Sequence, residues 1–227
     1  MNKISKWLVT LMLLNSLVAQ ASLIEYTSQS DFLTAISGMD SQTLNFDNQN
    51  AGDTIASGSS LGSLVFNYDF DGLDMIISDE FITSSGNNYL GIDDGTDQAF
   101  FSGDSFIINF YSSINALGLF IVSIDEIFAG DFTLTTTSGI VINSATSVTT
   151  LSDGANVYFL GLTDNEGFNS VSFSSLGCDC FFFNIDDITT ASITTSGSPT
   201  EIPEPASWSL LILAMLAPLY RHLRQTH

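Results

Sequence analysis

Residues 116–124 of the chain, ALGLFIVSI, form a nearly continuous apolar run and decide the fold. The run is short, rich in β-branched and aromatic residues, and uninterrupted by charge, which is typical of a strand buried inside a core. We therefore expect this segment to be the central strand of a β-sheet.

Many shorter runs of the same composition lie on both sides of this central segment, separated by Gly, Asp, Asn and Ser. They predict further strands at residues 44–46, 64–68, 74–77, 81–83, 89–92, 106–111, 132–136, 140–142, 148–151, 157–162, 171–173 and 181–188. A series of short strands with little helix predicts an all-β protein, an antiparallel β-sandwich or jelly roll.

One short helix is predicted before the strands. Ser28 can cap its start, and Asp31 three positions later is typical of a capping box. An apolar stripe at helical spacing follows, formed by Phe32, Leu33 and Ile36. We expect one to two turns that end near Gly38.

The charge distribution excludes several functions. All four Lys and Arg residues and both His residues lie near the two ends, and none lies between residues 22 and 202. That stretch nevertheless holds all but one of the 25 Asp and Glu residues. Nucleic-acid binding, which requires Lys or Arg at the phosphates, is therefore excluded for the body of the chain. The many Phe residues also distinguish it from a disordered acidic chain.

The N-terminus has the pattern of a secretory signal peptide. Lys3 and Lys6 precede an apolar core over residues 7–18, and Ala19 and Ala21 form a small-residue cleavage site. We expect cleavage after Ala21. A retained membrane anchor is the alternative, but the core is shorter than the about 20 residues that a spanning helix needs.

The C-terminus carries a second signal in three ordered parts: Pro203-Glu204-Pro205, an apolar run over residues 206–220, and a basic tail with Arg221 and Arg224. This arrangement resembles the PEP-CTERM sorting signal of exported proteins in Gram-negative bacteria that make extracellular polysaccharide. The resemblance implies a hydrophobic sorting helix that a membrane-embedded exosortase recognises and cuts. A simple anchor helix would explain the apolar run and the arginines, but not the Pro-Glu-Pro.

The two signals divide the chain into four parts: a signal peptide (1–21), a β-sandwich (22–190), a polar linker (191–202) and the sorting signal (203–227). Phrases in the body also look like those of many β-sandwich PEP-CTERM proteins; they lie at residues 89–92, 102–106, 116–119, 158–162 and 183–188. That group is defined by its export signal, so the resemblance assigns no catalytic residues.

Few routes to catalysis remain in the body, and we expect no enzymatic activity. Without His or Lys there is no base for a Ser-His-Asp triad and no Schiff-base lysine. Glycoside hydrolysis needs only two carboxylates, and Asp125-Glu126 follows the central strand. Adjacent strand residues point to opposite faces, however, so this pair favours a solvated strand end.

A structural calcium site is the candidate cofactor site. Asp47 follows the first predicted strand, and Asp186 and Asp187 lie in the last one. This arrangement looks like carbohydrate-binding jelly rolls, where the first and last strands meet and acidic residues often hold calcium. Calcium prefers six to eight oxygen ligands, of which these residues could supply part. Residues 93–97, DDGTD, form a second acidic turn without the full spacing of an EF-hand loop.

The two cysteines, Cys178 and Cys180, lie in an exported body, where disulfides persist. A bond between them would close a very small ring, so free thiols or an intermolecular bond are the alternatives. Two thiolates without a nearby histidine do not make a zinc site.

Two functions are compatible with these features. The first is a non-enzymatic cell-surface or matrix protein, exported through the inner membrane and processed by signal peptidase and exosortase. The alternative is a carbohydrate-binding module with structural calcium, whose partner is extracellular polysaccharide. Four tyrosines could stack on sugars, although core packing is their expected role. They are Tyr68, Tyr89, Tyr111 and Tyr158. Only the terminal segments are expected to contact a membrane.

Overall fold

A computed structural model of the protein describes residues 23–178 and 180–193. Within these ranges there is one helix, α1 (Gln29–Ala35), and there are fourteen strands. The strands are β1 (Leu23–Tyr26), β2 (Asp40–Leu44), β3 (Thr54–Ile55), β4 (Ser60–Leu61), β5 (Leu64–Tyr68), β6 (Met75–Ser78), β7 (Tyr89–Ile92), β8 (Phe100–Phe101), β9 (Ser105–Ser123), β10 (Phe132–Thr136), β11 (Gly139–Ile142), β12 (Thr149–Thr150), β13 (Asn156–Ser175) and β14 (Phe182–Ser192).

Two long strands organise the sheet. β9 has 19 residues and β13 has 20, and they pair antiparallel along most of their lengths. The register shifts between Thr163 and Phe168, so each strand has two halves with different neighbours. The first half of β9 also pairs with β5, and its second half pairs with β14. Long strands that change partners in this way connect the layers of a sandwich.

The central apolar run is buried on both faces, which is why it lacks polar alternation. Leu117, Leu119 and Ile121 point into the main core. Ala116, Phe120 and Val122 point the other way, into a second cluster beneath α1. Burying each large side chain contributes about 1.5–3 kcal/mol, so this strand is a main source of stability.

Helix α1 covers the second cluster through one buried side chain, Phe32. Gly118 of β9 pairs directly with Gly161 of β13, and the two glycines leave a bare patch on the sheet. The rings of Phe32 and Phe159 lie over this patch, with their centroids 5.4 Å apart. The hydroxyl of Ser28 accepts from the amide of Asp31, so the predicted cap is present.

The pairing of β14 brings distant parts of the chain together. Leu44 of β2 lies opposite Ile188 of β14, while the other edge of β14 pairs with β9. A further pairing connects Ile185 of β14 with Leu90 of β7. The strand near residue 44 therefore adjoins the strand near residue 188, which is the condition that the sequence-based calcium site requires.

The predicted fold class is confirmed: the described residues form an antiparallel β-sandwich with a short N-terminal helix. Several predicted segments differ in extent. Residues 106–111 and 116–123 belong to one strand, as do 157–162 and 171–173, because the residues between them remain extended, while Ile124 lies just beyond the strand end. β14 extends to Ser192, so the predicted linker begins inside the sheet.

Two predicted strands are wrong at the level of local backbone. Residues 81–83 form no strand, because Thr83 is held by a carboxylate from β14 instead of a neighbouring strand. The strand predicted at residues 44–46 ends at Leu44, since Phe46 has a φ of 60° and turns the chain. Strand β1 was not predicted from its four-residue sequence.

The predicted signal peptide, most of the linker and the sorting helix lie outside the described residues. Within the described part of the chain, no helix is both long and apolar enough to cross a membrane.

We expect Gly118→Ala to destabilise the fold by about 1–3 kcal/mol through overpacking. A Cβ at residue 118 would lie 2.7 Å from Cζ of Phe159 and 2.9 Å from Cε1 of Phe32, and both rings are fixed in the second cluster. Urea unfolding monitored by circular dichroism measures the change.

Gly177→Ala is the matched control, because its new Cβ would meet only the Cα of Gly103 at 3.7 Å. Equal unfolding midpoints for the two alanine variants would contradict this account of the second cluster.

Candidate functional site

The three acidic residues of the predicted calcium site lie around one loop, residues 79–88, which connects β6 to β7. Asp186 is fully buried in β14, and Asp187 follows it with a φ of 49°. This left-handed backbone accompanies a register shift between Asp186 and Thr189 and breaks the strand alternation. Both carboxylates therefore reach Ser85, whose hydroxyl is 3.2 Å from Oδ2 of Asp186 and 2.8 Å from Oδ1 of Asp187.

Asp186 is the main anchor of the loop. Its Oδ2 accepts hydrogen bonds from Thr83 Oγ1 at 2.7 Å, from Ser84 Oγ at 2.7 Å and from the Ser85 amide at 2.9 Å. Its Oδ1 accepts from the amide of Asp187 at 2.8 Å. Hydrogen bonds to a carboxylate are worth more than neutral ones, so this single side chain holds three successive loop residues.

Asp47 holds the other end of the loop. Its Oδ1 accepts from the amides of Asn87 at 2.9 Å and Asn88 at 3.2 Å. The carboxylate lies directly over Gly86, where an added Cβ would be 1.9 Å from Oδ2. Gly86 also has a φ of +51°, so both the space and the backbone require glycine there. We call Asp47, Asp186 and Asp187 with the loop they hold the acidic anchor.

The acidic anchor is electrostatically costly because the described residues include no side-chain cation. Burial raises the pKa of Asp186 above its ordinary value, despite the hydrogen bonds from the loop that lower it. Burial and the neighbouring charge of Asp186, with a smaller effect of Asp47, raise the pKa of Asp187 to about 6. Hydrogen bonds from the loop offset only part of the effect of burial on the pKa of Asp186, and Asp187 accepts fewer such bonds.

The arrangement does not fit a calcium shell well. Calcium needs six to eight oxygens, yet most carboxylate oxygens of the acidic anchor already accept N–H or O–H groups. Within residues 23–178 and 180–193, no group of three His, Cys, Asp or Glu side chains is arranged to hold a metal ion. The geometry favours anchoring by hydrogen bonds over the predicted calcium.

The other acidic residues that the sequence analysis considered also accept hydrogen bonds from the protein. Asp94 in the second acidic turn accepts from the amide and hydroxyl of Thr96, and these bonds lower its pKa against the opposing effect of partial burial. Asp125 accepts from the amide of Phe182 at 2.9 Å. Each carboxylate thus fixes a turn or a strand end.

The two cysteines, Cys178 and Cys180, are joined by a disulfide, with their Cα atoms 5.2 Å apart. The amide of Cys180 donates to Ser102 Oγ at 3.1 Å, which connects this short ring to the loop after β8. The bond therefore lies at the entry to β14.

Of the four tyrosines considered for sugar stacking, only Tyr111 is freely accessible, with 72% of its surface exposed. Tyr89 and Tyr158 are buried, and Tyr68 donates its hydroxyl to Asp74 at 3.1 Å. Tyr111 lies beside a shallow depression of about 160 Å³ with polar walls. These walls include Asp40, Gln42, Ser63 and Ser112.

The sequence analysis missed the loop residues that complete the acidic anchor, namely Thr83, Ser84 and Ser85. Their run of adjacent hydroxyls, TSS, was a signal for a carboxylate partner, but its partner lies about a hundred residues away. No local pattern connects the two segments.

Comparisons with known proteins give little further information. No protein-family model matches the chain, and no curated protein matches it. The chain is similar to the K2 cleaved adhesin domain of Lys-gingipain, with 13% identity over 66% of this chain and 97% of that domain and a TM-score of 0.42. The chain is also similar to the K3 cleaved adhesin domain of Lys-gingipain from Porphyromonas gingivalis, with 16% identity over 67% of this chain and 91% of that domain and a TM-score of 0.29. These TM-scores are too low for either match to bear on function.

We expect the buried Asp186 and the partly buried Asp187 to respond in opposite ways to replacement by asparagine. Asp186→Asn should destabilise the fold by about 2–3 kcal/mol, because its amide NH₂ would face the N–H and O–H donors of the loop. Asp187→Asn should leave stability at neutral pH equal or higher, because it removes the repulsion with Asp186 and asparagine tolerates positive φ.

The pH dependence provides the check. The folded pKa of Asp187, about 6, exceeds its ordinary 3.8, so the folded state retains a proton that the unfolded state releases. The free energy of unfolding should therefore fall as pH rises from about 4 to about 6, and Asp187→Asn should flatten this fall. Urea unfolding across that range measures it. An unchanged pH slope in Asp187→Asn, or wild-type stability in Asp186→Asn, would contradict the assignment.

Proposed function

We propose that the chain is an exported, non-enzymatic β-sandwich of the cell surface or extracellular matrix, sorted by a PEP-CTERM signal in a Gram-negative bacterium that makes exopolysaccharide. The observation that carries the proposal is the ordered C-terminal signal: Pro203-Glu204-Pro205, the apolar run over residues 206–220, and the basic Arg221 and Arg224. The N-terminal pattern ending at Ala21 supports it independently.

Features of the body are consistent with this location. The disulfide between Cys178 and Cys180 suits an oxidising compartment outside the cytoplasm. Cleavage after Ala21 would retain the whole of strand β1 as described, Leu23–Tyr26, in the mature chain. The excess of carboxylates keeps copies of the protein apart in solution.

The role of the buried carboxylates supports a non-enzymatic function. Catalytic acids and bases need an accessible partner for proton transfer. Here Asp186 is fully buried and its oxygens accept from the loop, and Asp131 accepts from the amide of Phe128. These carboxylates stabilise backbone turns. Signal peptidase and exosortase are the partners that the proposal requires.

We expect replacement of residues 203–205 by three alanines to change both location and mass of the protein in its host, because exosortase would no longer recognise the signal. Cell fractionation and intact-mass spectrometry of the mature protein measure the two effects. Replacement of residues 198–200 in the polar linker is the matched control.

Three results would overturn the proposal. One is an unchanged location and mass in the 203–205 variant. Another is equal behaviour of the linker variant. The third is recovery of the intact chain from the cytosol with residues 1–21 still present.

Carbohydrate binding is the second candidate, and the exposed ring of Tyr111 favours it. An exposed aromatic face beside a polar depression provides stacking and hydrogen bonding together, as ligand sites combine apolar surface with a few placed polar groups. Because no cation lies among residues 23–193, the glycan would be neutral, since an acidic polysaccharide would be repelled.

We expect Tyr111→Ala to weaken binding to neutral polysaccharide by about tenfold or more, through loss of the stacking surface. Phe128→Ala is the matched control, since Phe128 is also exposed, at 58%, but lies outside the depression. Pull-down from exopolysaccharide measures binding, in about 1 mM calcium and with chelator. Loss of binding with chelator would favour the calcium-assisted module, and equal binding by both variants would remove this candidate.

A further inference from the structure

A second depression, which we call the apolar cleft, lies next to the acidic anchor and has a volume of about 260 Å³. Four large apolar side chains form its mouth: Phe81, Ile82, Ile124 and Phe182. All four are partly or largely exposed, and Ile124 exposes 69% of its surface. The buried Ala155 also lines the cleft.

The polar groups of the cleft are mainly acceptors. The carboxylates of Asp97 and Asp153 lie on its exposed side. Asn184 also contributes to its wall; this residue is only 4% exposed, and its Oδ1 has no hydrogen-bond partner. A buried acceptor without a partner is unfavourable for the fold, but this oxygen is closed to solvent and is not a contact for a ligand.

The walls of the cleft are held in place before any ligand binds. Phe81 and Ile82 belong to the loop whose next residue, Thr83, donates to the buried Asp186. On the opposite side, the amide of Phe182 donates to Asp125 and its carbonyl accepts from Ser123. Preformed walls reduce the entropy lost on binding, so the cleft has the properties of a ligand site.

We propose that the apolar cleft binds a small organic cation, namely an aromatic or branched aliphatic group that carries a protonated amine. The volume accommodates one ring with a short chain, as a dry cavity of about 150 Å³ accommodates benzene. The ammonium group is the complement of the exposed Asp97 and Asp153 that line the cleft.

The charge of the body determines which sign of ligand charge the cleft favours. No Lys, Arg or His side chain lies between residues 22 and 202, so a bound anion would meet two carboxylates and no compensating charge. A neutral ligand would gain only the apolar contacts. The cleft therefore distinguishes ligands mainly by charge.

The test uses the purified full chain and three probes that share a phenyl ring and a two-carbon chain: 2-phenylethylammonium, 2-phenylethanol and 3-phenylpropionate. We expect roughly millimolar binding of the ammonium, as suits a ligand of so few atoms. It should bind about tenfold more tightly than the alcohol, and the carboxylate should bind more weakly than both. Calorimetry at about 20 mM and about 300 mM salt should show the ammonium advantage decrease at high salt.

Three variants locate the binding. Asp97→Asn with Asp153→Asn should lower the ammonium affinity by about fivefold or more and leave the alcohol unaffected. Ile124→Ala should weaken the ammonium and the alcohol together by about threefold. Ile140→Ala on β11 is the control, since Ile140 is similarly exposed at 63% and lies outside the cleft.

A loss of binding can be distinguished from a loss of folding, because all the substituted side chains are exposed and thermal melting verifies that each variant folds. Equal affinity for the three probes, tighter binding of the carboxylate, or no binding of the ammonium would each overturn the proposal. So would an ammonium affinity that the Asp97 and Asp153 substitutions leave unchanged, or an equal effect of Ile140→Ala and Ile124→Ala.

Discussion

Burial of both faces where residues 116–122 of β9 pair with residues 157–163 of β13 is the constraint on which the structure depends. One face packs into the main core, and the other is covered by α1 through Phe32. Gly118 and Gly161 permit this cover, because they let two aromatic rings approach the backbone. A sheet buried on both faces has a fixed register, since a slip by one residue would exchange the two sets of side chains.

Strand β14 connects these paired strands to the candidate sites. It pairs with β9 along one edge, and its buried Asp186 holds residues 83–85 of the loop after β6. The same loop supplies Phe81 and Ile82 to the apolar cleft. With no cation in the body, carboxylates here use backbone amides and hydroxyls as partners, so acidic residues organise loops without ion pairs.

The sequence alone predicted the parts of the fold that depend on local patterns. The apolar run forms a strand as far as Ser123, and Ser28 caps the helix as expected. Residues 81–83 have strand-like composition, but Thr83 and the next two residues are held by Asp186, whose position no local pattern reveals. The apolar cleft could not be predicted from the sequence either, because its walls come from segments far apart in the chain. Which of the four tyrosines is exposed depends on the tertiary structure, and no local sequence pattern indicates it.

The lack of cations between residues 22 and 202 has a consequence for colloidal behaviour. Most proteins pass through an isoelectric point on acidification and regain solubility as polycations. As pH falls, the side chains of this body can only lose negative charge. The electrostatic repulsion between copies therefore decreases, and no positive side chain restores it. Mild acid, which relieves the crowded carboxylates inside each molecule, thus favours coalescence of intact molecules over their unfolding.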